Sequence, residues 1–277
     1  MWRCRGRELT VGERTLIMGI VNVTPDSFSG DGLLLDADAA IKQGVQMVED
    51  GADILDVGGE STRPGSDPIS IGEELGRVAP VIEGLAMQVD VPISVDTRKA
   101  EVARVALEAG AAIVNDISAG PDPAMFELAR DSGAGLVLMH MQGEPKTMQA
   151  DPQYDDVVRE VRSFLADRIG AAVAAGVARG QLCADPGIGF GKNIEHNLAL
   201  LHDIGSFHDL RVPILVGTSR KRFIGELTGV DDPQERVEGT AATVAWCAAQ
   251  GVEIVRVHDV REMVKVVRVV DAIGRGR

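Results

Sequence analysis

A chain of 277 residues with 45% apolar and 25% charged residues can bury a sizeable core, and its length suits either one α/β barrel of ~250 residues or two smaller domains. Its formal charge of −14 (28 basic against 42 acidic residues) disfavours polyanionic partners unless a local basic patch outweighs the field, and 3% aromatics leaves few stacking surfaces for single-stranded nucleic acid. No stretch approaches the ~20 apolar residues needed to span a bilayer, and Cys4, Cys183 and Cys247 are too far apart for a disulfide framework or a CxxC metal pair, so a cytoplasmic protein is expected.

The chain begins MWRCRGRELTVGERT, basic but with no apolar run behind it, and is not read as a signal peptide. Within it WRCRGRELTVGE alternates polar and apolar residues around a glycine, which predicts a hairpin closing the bottom of a barrel. Eight short apolar runs follow in order: LIMGIVNV (16–23), DILDVGG (53–59), PISVDT (92–97), AIVNDIS (112–118), GLVLMHM (135–141), LCADPG (182–187), PILVGTS (213–219) and EIVRVHD (253–259). Most are rich in Val, Ile and Leu, as strands buried on both faces require. Amphipathic stretches separate them, among them AAIKQGVQMVEDG with Ile41, Val45 and Val48 at helical spacing, DDVVREVRSFLADRIGAAVAAG, and VREMVKVVRVVDAIG after the last run. Strand–helix repeated eight times predicts a closed (β/α)8 TIM barrel, a single domain over 1–277. The alternative, an open doubly wound sheet, wants a glycine fingerprint after its first strand, where this chain has NVTPDSFSGDG.

In such barrels the active site lies at the carboxyl ends of the strands. Polar residues gather there: Asn22, Asp56, Asp96, Asn115 with Asp116, His140, Asp185, Ser219 with Arg220 and Lys221, and Arg256 with His258. Turn formation accounts for some of them. It accounts poorly for Asp96 and Asn115, which have apolar neighbours and no turn glycine. Asp96, Asn115 and Asp185 together suit a flat heterocycle with a ring N–H beside an exocyclic amine, because carboxylates accept paired N–H bonds and an amide both donates and accepts.

DPGIGFGK (185–192) resembles a phosphate loop but fails the GxxxxGK[ST] pattern, since Asn193 follows Lys192 and Pro186 precedes Gly191 by five positions. Its glycines are read as a sharp turn that brings Phe190 over the site, with Lys192 at or beyond the rim. The phosphate site is expected at GTSRKRFIG (217–225) and RVHD (256–259), where Arg256 and His258 are two apart and so share a strand face. The role of His140 stays open; His196, His202 and His208 are read as non-catalytic. Two polar Gly/Pro-rich loops, NVTPDSFSGDG (22–32) and GGESTRPGSDP (58–68), have the composition of mobile lids.

Taken together, MGIVNVTPDSFSGDG, DVGGESTRPG, SVDT, NDIS, MHMQGEPKTMQ, ADPGIGFGK, GTSRKRFIG and RVHDV resemble the dihydropteroate synthase family of folate biosynthesis, a group of pterin-binding barrels. The resemblance runs from about residue 7 to residue 272, with one departure at Ser29-Gly30-Asp31-Gly32, where the family more often has Ser-Asp-Gly-Gly. It implies condensation of 6-hydroxymethyl-7,8-dihydropterin diphosphate with p-aminobenzoate, with diphosphate released. Asp96, Asn115, Asp185 and Lys221, with Thr62, would contact the pterin. Arg256, His258 and Asn22 would hold the diphosphate, Asn22 also binding Mg²⁺. Thr62, Arg63, Phe190, Ser219 and Arg220 would line the p-aminobenzoate side, and Arg63, Lys221, Arg256 and His258 would form the catalytic set. The resemblance also implies a homodimer and a sulfonamide target. No Ser-His or Cys-His nucleophile pair is evident in the sequence, which fits dissociation of diphosphate followed by arylamine attack. A pterin-binding methyltransferase on the same barrel would not need TRPG, SRKR and RxH together, and a catalytically silent pterin-binding protein would not need to retain Arg63, Lys221, Arg256 and His258.

Overall fold

The computed structural model describes residues 1–24, 37–61 and 65–275. The first lid loop beyond Thr24, with its Ser29–Gly32 departure, and Thr62 and Arg63 of the second therefore lie outside the described residues. A hairpin of β1 (Trp2–Cys4) and β2 (Arg7–Leu9) opens the chain. Eight parallel strands follow: β3 (Leu16–Asn22), β4 (Ile54–Gly58), β5 (Ile93–Asp96), β6 (Ile113–Asp116), β7 (Gly135–Met139), β8 (Leu182–Asp185), β9 (Leu215–Val216) and β10 (Ile254–Val257). The helices are α1 (Ala37–Glu49), α2 (Ile71–Ala86), α3 (Ala100–Glu108), α4 (Pro123–Ser132), α5 (Val157–Ala174), α6 (Ile194–His202), α7 (Arg222–Thr228), α8 (Val237–Ala249) and α9 (Val260–Arg275). The eight strands are ordered β8-β7-β6-β5-β4-β3-β10-β9. The ring closes between β8 and β9, where the Ala184 N–H donates to the Pro213 carbonyl at 2.9 Å beside a parallel bridge from Ala184 to Ile214. This is the (β/α)8 barrel, and the open sheet is excluded.

Strand parity divides the apolar residues into two layers. One parity packs outward against the helices, with Ile17, Val21, Leu55, Val57, Val95, Val114, Leu136, Leu138, Val255 and Val257 in one large core. The other parity fills the lower barrel with Met18, Ile54, Ile113, Val137, Cys183, Leu215 and Ile254. The hairpin plugs that end. Trp2 is fully buried against this inner layer, and its indole N–H donates to the Gln181 carbonyl at 2.8 Å. Arg5 and Gly6, at φ 51° and 79°, make the two-residue turn that matches the twist of the hairpin. A Cβ at Gly135 would stand 2.7 Å from the Cys4 sulfur, so a glycine is needed where hairpin and barrel meet.

Helix signals in the sequence act locally. Ser70, Asp122, Asp156 and Asn193 each accept a bond from a first-turn N–H of the helix they precede, and Gly133 ends α4 in the left-handed region at φ 70°.

Candidate active site

Above the apolar inner layer, the same parity continues into polar side chains. The register aligns Ile20 with Asp56, Asp56 with Ser94, Gly58 with Asp96, and Asp96 with Asn115, while Met139 pairs with Asp185. The barrel interior therefore changes from hydrocarbon to a polar floor within one layer. Asp116 has the opposite parity. Its carboxylate accepts from the Ser118 N–H and hydroxyl and from the Gly120 N–H, so it builds a turn and is not part of the floor.

Arg256 crosses this floor. Its Nε donates to Asp56 Oδ2 at 2.6 Å and its Nη2 to Asp96 Oδ2 at 2.7 Å, while Nη1 has no hydrogen-bond partner among the described residues. Asn115 Nδ2 donates to the same Asp56 oxygen at 3.0 Å. Asp56 Oδ1, Ser94 Oγ, Asp96 Oδ1 and Asn115 Oδ1 are buried and have no hydrogen-bond partner among the described residues. Buried polar atoms are rarely left unpaired, and three of these are acceptors. Acceptors grouped in this way suit a ligand that supplies N–H donors. Burial pushes the Asp96 carboxyl up to about 7, with Arg256 pulling it back down and Asp56 pushing the same way as burial.

Asp185 ends β8 and is 6% exposed; its Oδ1 accepts from the Gly187 N–H at 2.7 Å. Burial raises its pKa, opposed by that N–H, Lys221 and Arg256. Lys221 donates to the Ile188 carbonyl and sits 4.2 Å from the centroid of the Phe190 ring. Burial lowers its pKa to about 8. Ser219 Oγ lies 3.0 Å from His258 Nδ1, joining the end of β9 to the end of β10. Arg220, at φ 59°, pairs its guanidinium with Asp259, so its neighbours Ser219 and Lys221 present the polar groups of this segment to the site. The half-buried Asn22 ends β3, which lies beside β10. The flanks of the second loop are tied down by Lys99, whose Nζ donates to Glu60, to Glu74 and to the Ile69 carbonyl, and by Arg77 Nη1 on the Gly59 carbonyl at 2.7 Å.

The glycine stretch 185–192 is a carbonyl-bonded loop. A phosphate nest presents N–H groups to its anion. Here donors take the carbonyls of Ile188 (Lys221), Gly189 (Gln149), Phe190 (Lys192) and Gly191 (Tyr154). Gly187, Gly189 and Gly191 all have positive φ, at 66°, 83° and 63°. The expected position of Lys192 at the rim is corrected: it is 2% exposed, beneath the loop, because its ammonium reaches back to Phe190 and to His140 at the end of β7. A Cβ at Gly187 would fall 1.9 Å from the His140 carbonyl oxygen. Gly187→Ala is therefore expected to destabilise the fold by about 2–4 kcal/mol in urea titration, from left-handed strain plus overpacking. Gly170→Ala, in α5 with nothing within 4 Å of the new Cβ, should be neutral or stabilising by up to ~1 kcal/mol.

Sequence reasoning noted Asp56 at its strand but left it out of the ligand set, and it missed Ser94 and the buried role of Lys192. Parity was available for the first two, since Asp56 lies two residues from Ile54, and Ser94 two residues from Asp96. Nothing local signals the burial of Lys192. His196, His202 and His208 stand on helical turns and not at the carboxyl end of a strand.

A parallel barrel whose carboxyl mouth combines unpaired buried acceptors with an Arg–Lys–His cluster defines an enzyme site for a flat, N–H-rich ligand carrying an anionic group. Residues 18–258 match the family described as pterin binding enzyme, and the chain belongs to that family. It is 49% identical over 256 residues to the dihydropteroate synthase of Escherichia coli strain K12, a match that covers 92% of this chain and 90% of that one. Among solved structures, it superposes on the Yersinia pestis dihydropteroate synthase with a sulfonamide drug complex (TM-score 0.92, 45% identity, 99% of this chain and 98% of the other). It superposes equally on the Xanthomonas albilineans dihydropteroate synthase with 4-aminobenzoic acid (TM-score 0.92, 47% identity, 98% and 97% covered).

Proposed function

We propose that this protein catalyses the dihydropteroate synthase reaction, joining 6-hydroxymethyl-7,8-dihydropterin diphosphate to p-aminobenzoate and releasing diphosphate. The observation that carries this reading is the set of unpartnered buried acceptors beside Arg256: Asp96 Oδ1, Asn115 Oδ1 and Asp56 Oδ1. They match a ring with adjacent N–H and amine donors. Asp185, at the end of β8 and separated by β7 from the strand of Asn115, extends the acceptor row toward the Lys221 side.

The chemistry follows from these positions. With the ring seated on Asp96, Asn115 and Asp185, the exocyclic methylene lies toward Arg256 and His258. The C–O bond to the diphosphate breaks, its electron pair leaving with the diphosphate. Arg256 Nη1 and His258 receive that charge. The methylene cation is delocalised into the pterin ring and is tolerated beside Asp96 and Asp185. The p-aminobenzoate nitrogen then forms the C–N bond and loses one proton to solvent. Phe190, Ser219 and the Lys221 segment line the side from which the arylamine approaches, joined by Thr62 and Arg63 as the family resemblance implies. A homodimer and a cytoplasmic setting belong to the same reading; among the described residues no helix is long and apolar enough to cross a membrane.

The donor set fits Mg²⁺ held through one protein oxygen. Asn22 offers a half-buried carboxamide, and the described residues contain no cluster of three His, Cys, Asp or Glu side chains that would make an all-protein cage. Magnesium commonly binds through few protein ligands plus substrate phosphates, and here it would neutralise diphosphate charge. The expectation is weak Mg²⁺ binding to the substrate-free protein and loss of activity on chelation, restored by added Mg²⁺. Tight stoichiometric Mg²⁺ binding in calorimetry without substrate would contradict it.

The deciding experiment supplies both substrates and measures diphosphate and pteroate together. Equal amounts of both are expected. Pterin binding without diphosphate release would favour a silent binding protein, and methyl transfer from a methylated pterin would favour a methyltransferase.

A further inference from the structure

The Lys192 amine is deeply buried, yet no carboxylate lies within ion-pair distance of it among the described residues. Its neighbours are the Phe190 carbonyl at 2.9 Å, His140 Nδ1 at 3.0 Å and the His140 carbonyl at 3.4 Å. Those are three acceptor positions for one amine. Two belong to the residue that follows β7, and the third to the loop that follows β8. Burial and the charge of Lys221 push the Lys192 pKa well down, with Asp185 opposing. Burial and Lys192 together push His140 down to about 3, so its ring is neutral at physiological pH and one ring nitrogen can accept.

The loop makes clear what this amine controls. Phe190 stands between two glycines that both occupy the left-handed region, so its peptide would swing easily if unbonded. The flanking carbonyls of Gly189 and Gly191 are held by Gln149 and Tyr154, and that of Phe190 itself by Lys192. The Phe190 ring in turn packs against the Lys221 ammonium at the mouth. Holding the loop does not by itself account for a lysine. A buried amine with no counter-charge is a costly way to stabilise a fold, even with acceptors around it.

We propose that Lys192 is a positioning residue: by holding the Phe190 carbonyl against the end of β7, it fixes the Phe190 ring on the arylamine side of the site. The proposal rests on the reading that Phe190 lines the p-aminobenzoate side. It assigns Lys192 no contact with substrate and no part in diphosphate binding.

The test is a double-mutant cycle read by steady-state kinetics, with melting temperature measured in parallel. Phe190→Ala should raise KM for p-aminobenzoate. Lys192→Met should raise it about fivefold or more, with under about twofold change in KM for the pterin diphosphate and a melting temperature lower by roughly 2–10 °C, because the Phe190 and His140 acceptors lose their donor. On the Phe190→Ala background, Lys192→Met should add less than about twofold, since both changes act through one ring. Lys192→Gln, which keeps a shorter donor, should fall between Lys192→Met and the wild type; if Lys192→Met does not fold, Lys192→Gln is taken through the same cycle. If Phe190→Ala leaves the p-aminobenzoate KM unchanged, the underlying reading of Phe190 fails. If Phe190→Ala raises it but the Lys192 variant does not, or the two effects add in full, the positioning role is overturned and the amine is structural only.

Discussion

Asp185→Asn lowers affinity for the pterin diphosphate at least tenfold while leaving the melting temperature nearly unchanged. The carboxylate is 6% exposed, and one oxygen is committed to the Gly187 N–H at 2.7 Å. The Asn oxygen will keep that bond, because Gly187 offers only a donor. The amide nitrogen must then take the other position and face the ligand. A donor against a ring N–H leaves both groups unpaired in a buried place, at about 1–3 kcal/mol or more. One factor of ten in affinity corresponds to about 1.4 kcal/mol. The fold loses little, because burial already raises the pKa of this carboxyl and a neutral amide removes that burden. Calorimetry with the pterin diphosphate, alongside thermal melts, checks both halves; unchanged affinity would remove Asp185 from the site.

Arg256→Ala affects binding and stability together, and its stability effect depends on pH. The guanidinium bonds Asp56, which is fully buried, and Asp96, which is nearly so. Removing the cation leaves two carboxylates facing each other. Breaking such a pair by deleting one partner costs about 3 kcal/mol or more when the remaining charge persists. It need not persist at low pH. The Asp96 carboxyl already has a pKa raised from 3.8 to about 7, and loss of Arg256 raises it further. A carboxyl with a raised folded-state pKa keeps its full stability contribution below its unfolded value and loses it as pH rises through the folded one. The stability deficit of the variant should therefore be smaller near pH 4, where Asp96 is protonated, than at pH 8. Its affinity for the pterin diphosphate should drop tenfold or more, since a bonded cation leaves a partly buried anion site. Urea titrations at the two pH values, together with a pterin diphosphate titration at fixed Mg²⁺, test this. A stability loss that is the same at both pH values would mean that Asp96 does not titrate as described.

The two variants separate what the floor of the barrel does. Asp185 acts on the ligand from a strand end already satisfied by its own loop. Arg256 balances charge across the floor before any ligand arrives, and Nη1, with no partner among the described residues, is left for an anion.

The sequence by itself determined the strand count, the barrel and the chemical character of its mouth. Those signals are local: Val/Ile runs of strand length, helical spacing between them, Asp96 and Asn115 with no turn glycine beside them to explain their polarity, and Asp185 at a strand end. The hairpin was legible for the same reason, because alternation around Gly6 is a short-range pattern. The failed phosphate-loop pattern was also legible, and the bonded carbonyls of 188–191 explain why the loop is no phosphate nest. What only the tertiary structure decided is which of these groups meet. Asp56 and Arg256 are 200 residues apart and touch because β3 lies between their strands in a closed ring, with a register that no local pattern encodes. Asp116 leaves the site and Asp56 joins it by strand parity, which matters only once the inner face is known. Lys192 follows a glycine and precedes a helix cap, a position that reads as surface. It is buried because the left-handed glycines fold its loop back onto β7, where two carbonyls and a neutral imidazole meet its amine.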